Sequence, residues 1–257
     1  ADYVTFRRAQ FDHGLAWVHF PEGHGGFGLS PKMNQVVRDE IQKNSTVYYD
    51  DPPAGLIGIG MGAPTLLTYG PEDLKKELLP RLFTGEDIWC QMVCERSGGS
   101  DVAGLATRAV RDGDEWVVNG QKVWTTVAHL SKWGMLVART NPDVPKHDGL
   151  SYFLVDMEAP GVEVRPLYQI TGEAEFNEVF FTDARVPHSR MLGKEGQGWR
   201  VAITTLMNER VAIGSGGPKK KGSGAISQLL KLWKERDHNS TSPAQTAVLR
   251  DRVTKSY

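Results

Sequence analysis

Two short stretches of this chain hold residue types whose spacing could do chemistry. Trp89 to Ala103 reads W-C-Q-M-V-C-E-R-S-G-G-S-D-V-A. In it a strand-like apolar run passes into a loop of small residues: Ser97, Gly98, Gly99 and Ser100. Such a loop can turn backbone N–H groups toward one point, which is how proteins hold phosphates and other anions. Val118 to Thr126 reads V-N-G-Q-K-V-W-T-T. Trp124 offers a flat apolar wall, and Thr125 and Thr126 offer hydroxyl and backbone donors beside it. Gln91, Met92, Val93 and Cys94 offer backbone groups on a neighbouring strand, and Gly99 with Ser100 can receive phosphate oxygens. A wall, a row of polar contacts along one edge and a diphosphate cradle are what a flavin nucleotide needs, since the flavin carries its own redox chemistry. Taken singly, Trp124 reads equally well as a core tryptophan and the threonines as ordinary strand residues.

The elements that must position these residues fall in three blocks. The first is helical. Ser30 can cap a helix that begins at Pro31 and carries Val36, Val37 and Ile41. A run from Leu56 to Tyr69 suits a buried helix of small residues. Pro71, Glu72 and Asp73 open another, with Leu74, Leu78, Leu79 and Leu82 on one face until Gly85 ends it. From about Ile88 the pattern changes to short β-rich runs. These are Trp89–Val93, Thr107–Arg111, Glu115–Val118 across a D-G-D turn, Val123–Thr126, Gly134–Arg139, Ser151–Asp156 and Glu178–Thr182. Helical spacing returns at Glu195, with Val201, Leu206, Val211 and Ile213 in an apolar stripe. After a Gly/Ser/Lys interruption, two further helices are expected, from Ala225 to Glu235 and from Pro243 onward. The expected class is α+β: an N-terminal helical domain over 1–87, a central antiparallel β-barrel or sandwich over 88–193, and the start of a C-terminal helical bundle over 194–257.

Composition narrows the function classes. The chain has 257 residues, 40% hydrophobic and 24% charged, with a net charge of −1. That suits a globular protein with a sizeable core and gives no global field to draw in nucleic acid. No apolar run reaches the ~18 residues needed to span a bilayer. The two cysteines are Cys90 and Cys94. On one strand their Cα atoms would lie ~13 Å apart, too far for a disulfide, which needs less than ~7 Å. Reduced thiols point to the cytoplasm. Gly58, Gly60 and Ala63 match G-x-G-x-x-A, but no strand precedes them and Pro64 follows, so helix packing explains them better than a dinucleotide site. Lys219, Lys220 and Lys221 lack the spacing of a phosphate-binding loop and read as a solvated turn. The histidines form no metal-ligand cluster, and no nucleophile elbow supports a Ser/His/Asp triad.

The order of motifs along the chain resembles the acyl-CoA dehydrogenase family. Y-G-P-E-D-L-K-K-E-L-L-P-R-L-F-T-G-E, the Trp89–Ala103 segment, D-G-D-E-W-V-V-N-G-Q-K-V-W-T-T, E-F-N-E-V-F-F-T-D-A-R-V-P, L-G-K-E-G-Q-G-W and L-M-N-E-R succeed one another as they do there. The resemblance implies FAD as cofactor. It carries FAD contacts onto Gln91, Met92, Val93, Cys94, Gly99 and Ser100, and onto Trp124, Thr125 and Thr126. It also carries acyl-CoA contacts onto Ser100 and onto the helix bearing Met207 and Arg210. Two departures stand out: Cys94 replaces the usual Thr or Ser, a weaker donor, and Arg96 replaces the usual Pro.

The family reaction takes a proton α to a thioester carbonyl while the β-hydride passes to the flavin, giving a 2-enoyl-CoA. A carboxylate must be aimed at that proton. In most members this Glu lies in a C-terminal segment not contained here, while some branches use the Glu at the position of Glu209. Glu209 is therefore the catalytic candidate, against an ion pair with Arg210 as its structural alternative. The unfinished last helix suggests a longer product lacking most of its C-terminal bundle. The resemblance further implies an electron-transfer flavoprotein as acceptor and a homo-oligomer or a hetero-oligomer with a related subunit. A non-catalytic subunit needing an active partner, an acyl-CoA oxidase and a flavin monooxygenase relative remain open.

Overall fold

The computed structural model describes residues 2–44, 55–214, 225–236 and 242–256. Lys219, Lys220 and Lys221 lie outside them. The chain divides into two compact units, Ala1–Ala212 and Ile213–Tyr257.

In the first unit, helix α1 (Tyr3–Asp12) precedes α2 (Met33–Asn44), α3 (Gly55–Ile57), a π-helical turn (Gly58–Gly62), α4 (Ala63–Tyr69) and α5 (Glu72–Thr84). Helix α2 starts two residues after the expected Pro31. Ser30 still serves it: its carbonyl accepts from the Met33 N–H at 2.9 Å and its hydroxyl from the Lys32 N–H at 3.4 Å. The expected Leu56–Tyr69 helix is there, but one turn of it is π-wound, and its glycines sit where other side chains press in. A Cβ on Gly58 would fall 2.3 Å from Leu82 Cδ1, and one on Gly62 2.8 Å from the Trp89 ring. Close packing, not a nucleotide, accounts for the Gly58-x-Gly60 pattern. Helix α5 ends as its sequence predicts, on Gly85 at φ 81°.

The strands are β1 (Trp89–Met92), β2 (Arg108–Asp112), β3 (Glu115–Thr126), β4 (Trp133–Arg139), β5 (Leu150–Asp156), β6 (Val162–Leu167), β7 (Phe176–Pro187) and β8 (Met191–Leu192). They form one sheet in the order β6-β7-β3-β2-β4-β5-β8, with β1 added on β4. The sheet is mostly antiparallel, but β1 runs parallel to β4 and β2 touches β4 in parallel at Arg108–Arg139. The two runs expected at Glu115–Val118 and Val123–Thr126 are one continuous strand. Gly120 keeps it unbroken by passing so close to Thr107 that a Cβ would lie 2.7 Å from the Thr107 Cα. Strand β6 carries charged residues and Pro166, which hid it from the pattern and suits its place at the sheet edge.

Period-two alternation splits the core. Trp89, Trp133, Met135, Val137, Leu150, Tyr152 and Leu154 face the helical cluster with Leu66, Leu78, Leu79 and Val201. Cys90, Met92, Leu136, Ala138, Phe153 and Val155 face a second cluster with Trp116, Val118 and Val179. β1, β4 and β5 are thus buried on both faces, which makes them a stiff base for whatever leaves their ends. The two cysteines do not share a strand: Cys90 is buried in β1, while Cys94 is exposed beyond its end. Burial pushes the Cys90 thiol up to about 12. Helix α6 (Gly198–Gly214) ends two residues past the boundary of the first unit, and α7 (Ala225–Glu235) and α8 (Pro243–Ser256) lie in the second. Among the described residues no helix is long and apolar enough to cross a membrane.

Candidate functional site

The site forms where β3 loses its regular pairing with β7. Lys122 pairs with Val179 and Thr125 with Asn177, so Val123 and Trp124 stand opposite the single residue Glu178. This extra residue is a β-bulge, which bends the strand and re-aims a side chain. Trp124 takes φ 60° there, and Val127, just past the strand, takes φ 53°. Asp183 is the only other non-glycine residue with positive φ among the described residues. Each such residue costs roughly 1–2 kcal/mol, and such strain gathers at functional sites. The result is an indole that is 62% exposed, braced edge-on by Phe176 at 6.1 Å.

The bulge also frees a donor. The Val123 N–H turns away from β7 and donates to the Cys94 carbonyl at 3.0 Å. This bond joins the Gln91–Cys94 segment to the Trp124–Thr126 segment. Behind the bulge, Asn177 Nδ2 donates to the Thr125 carbonyl at 3.0 Å, and the Val127 N–H donates to the Glu175 carbonyl at 2.9 Å. Thr125 itself is buried, and its hydroxyl has no partner among the described residues. Thr126, two residues past Trp124 on β3, is half-buried.

The loop after β1 is shaped by a tight turn in which the Gly98 N–H donates to the Glu95 carbonyl at 3.2 Å. Gly99 and Ser100 follow, both exposed. The sequence pattern suggests glycine here for backbone freedom, but neither Gly98 nor Gly99 takes positive φ. A Cβ on Gly99 would meet nothing within 4 Å in the chain itself. Its smallness therefore serves the open space beyond the loop. An exposed aromatic wall, a half-buried threonine close by in the chain and an uncrowded glycine loop, with the two segments tied by the Val123–Cys94 bond, are residue types that fit a flavin nucleotide.

Sequence reasoning missed the ion pair beneath this surface. Lys122 is fully buried, and its Nζ donates to Glu95 Oε1 at 2.8 Å and to the Val93 carbonyl at 3.3 Å. Burial draws Lys122 down to about 8 against the pull of Glu95. Burial opposes the charge on Glu95, but Lys122 and hydrogen bonds from Thr107 and Ala106 outweigh it and hold the carboxyl below its ordinary range. The available signal was a lysine at the two-residue spacing of the inward-facing Trp116 and Val118, with a glutamate just past the apolar run Trp89–Val93.

Met207, Glu209 and Arg210 are on α6. Thr205 is buried and shares hydroxyl hydrogen bonds of 3.0 Å with both Thr65 and Tyr152. Ala212, seven residues on, packs against Gly60 of the π-helical turn. Glu209 stands on that same helical stripe and is half-buried. Met207 and Arg210 share the opposite, exposed face with Ile203. The alternative ion pair between Glu209 and Arg210 does not form among the described residues, since adjacent helical positions diverge. No described hydrogen bond or ion pair joins these three residues to Trp124 or to the glycine loop.

Comparison with known proteins agrees with this architecture. The family described as acyl-CoA dehydrogenase, N-terminal domain, matches residues 3–86, and the acyl-CoA dehydrogenase middle domain matches residues 90–184. Acyl-CoA dehydrogenase IpdE1 of Mycobacterium tuberculosis is 40% identical over 246 residues, which cover 95% of this chain and 61% of that protein. The Tcur3481-Tcur3483 steroid ACAD superposes with a TM-score of 0.68 at 28% identity, covering 98% of this chain and 63% of that one. The ChsE4-ChsE5 complex from Mycobacterium tuberculosis gives 0.67 at 29% identity, with 98% and 65% covered. The chain thus spans somewhat under two thirds of the length of these relatives. With both domain families matched in order and the same helix–sheet–helix succession observed, the chain belongs to the acyl-CoA dehydrogenase family.

Proposed function

We propose that this chain supplies the FAD site and part of the acyl-CoA site of an acyl-CoA dehydrogenase, which converts an acyl-CoA thioester to its 2-enoyl-CoA. The observation that carries the reading is the Val123–Cys94 hydrogen bond, which sets an exposed, strained indole beside the loop leaving β1. Bound FAD supplies the acceptor for the β-hydride. Trp124 walls the ring, Thr126 and the backbone of Gln91–Cys94 hydrogen-bond along its edges, and Gly99 and Ser100 receive the diphosphate. Ser100, Met207 and Arg210 contact the CoA thioester. The Glu209 carboxylate takes the α-proton, from a half-buried position on α6 where no ion pair competes for it among the described residues. Electrons leave to an electron-transfer flavoprotein. Two free cysteines suit a reducing compartment such as the cytoplasm. Residues 1–87, 88–193 and 194–257 act as the helical cover, the cofactor-bearing sheet and the acid-bearing helix with its continuation.

The test is the visible spectrum of the purified protein with added FAD, and its anaerobic bleaching by acyl-CoA thioesters, a steroid side-chain thioester among them. A flavin spectrum that bleaches is the expected result. Protein that holds no flavin, alone or with a related chain, sinks the reading. A second reading is favoured by the neighbours, two of which are complexes named for two components. There the chain works as one half of a hetero-oligomer, and colour and bleaching emerge only after mixing with a second, related chain.

A further inference from the structure

We propose that the buried Lys122–Glu95 pair is a positioning device for the flavin site, fixing the gap between the Cys94 strap and the Trp124 bulge. The inference rests on the flavin reading above. Three backbone groups from two segments, the Val93 carbonyl and the Ala106 and Thr107 N–H groups, converge on this pair. Lys122 Nζ reaches the Val93 carbonyl at 3.3 Å and Glu95 Oε1 at 2.8 Å. Glu95 Oε1 also accepts from the Thr107 N–H at 3.0 Å, and Oε2 from the Ala106 N–H at 2.6 Å. Cys94 lies between the two residues so held, and its carbonyl is the one that takes the Val123 N–H. Lys122 is also the last regular partner of β7 before the bulge. The brace therefore sets both where the bulge begins and where the strap facing it runs.

Stability alone is a weak reason for such a pair. Desolvating two charges costs several kcal/mol, and apolar residues of similar volume commonly hold a core as well or better. Such residues fill space but cannot hold a carbonyl and two N–H groups at chosen positions. The pair does not touch the proposed cofactor face; it acts through Cys94 and Trp124.

The test compares Lys122→Met, Glu95→Gln and the double variant with the wild-type chain, reading the apo-protein Tm and the FAD Kd. Lys122→Met leaves a buried carboxylate alone and is expected to lose both stability and FAD. The neutral double variant is expected to regain most of the Tm while its Kd stays weakened tenfold or more, with an altered visible band. Wild-type FAD affinity in the folded double variant overturns the inference and leaves the flavin reading standing. A wild-type chain that binds no FAD, alone or with a related chain, overturns both. If the double variant does not fold, Lys122→Gln replaces it, a neutral side chain one bond shorter that keeps an N–H donor directed at the Val93 and Glu95 oxygens; it is expected to hold the fold and keep FAD better than Lys122→Met. Equal FAD affinity in those two variants overturns the inference.

Discussion

The bulged end of β3 and the middle of α6 carry the two halves of the proposed chemistry, and they are built in opposite ways. The β3 site is held by long-range bonds: Val123 to Cys94, Lys122 to Glu95 and Asn177 to Thr125. It also stores backbone strain at Trp124 and Val127. Helix α6 is regular, and Glu209 owes its place to spacing from Thr205 and Ala212 on one stripe. A rigid, planar cofactor demands a surface fixed in advance, and pre-organisation of that kind has to be imposed by tertiary contacts. A proton acceptor needs only to be aimed from a stable helix. Changes at Glu209 should therefore alter turnover without altering the site's shape, whereas changes around β3 should alter shape first.

Glu209→Gln offers the largest separation of the two halves. Loss of a positioned base costs roughly 10²–10⁴-fold in rate. Glu209→Gln is expected to lower kcat by that order while FAD affinity and Tm stay near wild type, because Glu209 makes no described ion pair. Wild-type turnover by the variant removes Glu209 as the base and leaves α6 a purely packing element.

Gly120→Ala attacks the other half. Its Cβ would fall 2.6 Å from Thr107 Oγ1 and 2.7 Å from the Thr107 Cα, at a φ of 151° that an alanine resists. Backbone cannot yield as a flexible side chain does, so β3 must move away from the segment whose N–H groups bond Glu95. A loss of about 1–3 kcal/mol is expected from the overpacking, read by urea denaturation, together with weaker FAD binding. An unchanged denaturation midpoint would show that β3 tolerates displacement and that the contrast with α6 is overstated.

Helix α5 and the central strands β4 and β5 are legible in the sequence because their signals are local. Gly85 ends α5 where it was expected, and the alternation in β4 and β5 is plain. The motif order also picked out the two segments that the Val123–Cys94 hydrogen bond joins. The bulge was not legible: nothing in V-N-G-Q-K-V-W-T-T marks a tryptophan for positive φ, since that conformation follows from register against β7. The Lys122–Glu95 pair escaped for the same reason, being made by residues 27 apart in the chain. Cys94 was placed on the strand with Cys90 because the apolar run does not show where pairing with β4 stops. Edge strand β6 was lost to its charges and its proline.

The smallest expected effect concerns pH, and its sign follows from Glu95. The folded carboxyl titrates below its ordinary range, held there by Lys122 and by backbone donors against the cost of burial. As pH falls through that ordinary range, the unfolded chain takes up the proton first, so unfolding binds protons and stability declines. The stabilisation is complete above the ordinary carboxylate pKa and is lost as pH falls through the folded value. One proton bounds the slope at about 1.4 kcal/mol per pH unit. Urea denaturation of wild type and of Glu95→Gln across that acid range isolates this share, since the variant cannot titrate there. The difference between the two curves is expected to shrink as the pH drops. A parallel pair of curves for Glu95→Gln instead would mean that the β3 brace carries no charge-dependent stabilisation, and the two regions would differ in geometry alone.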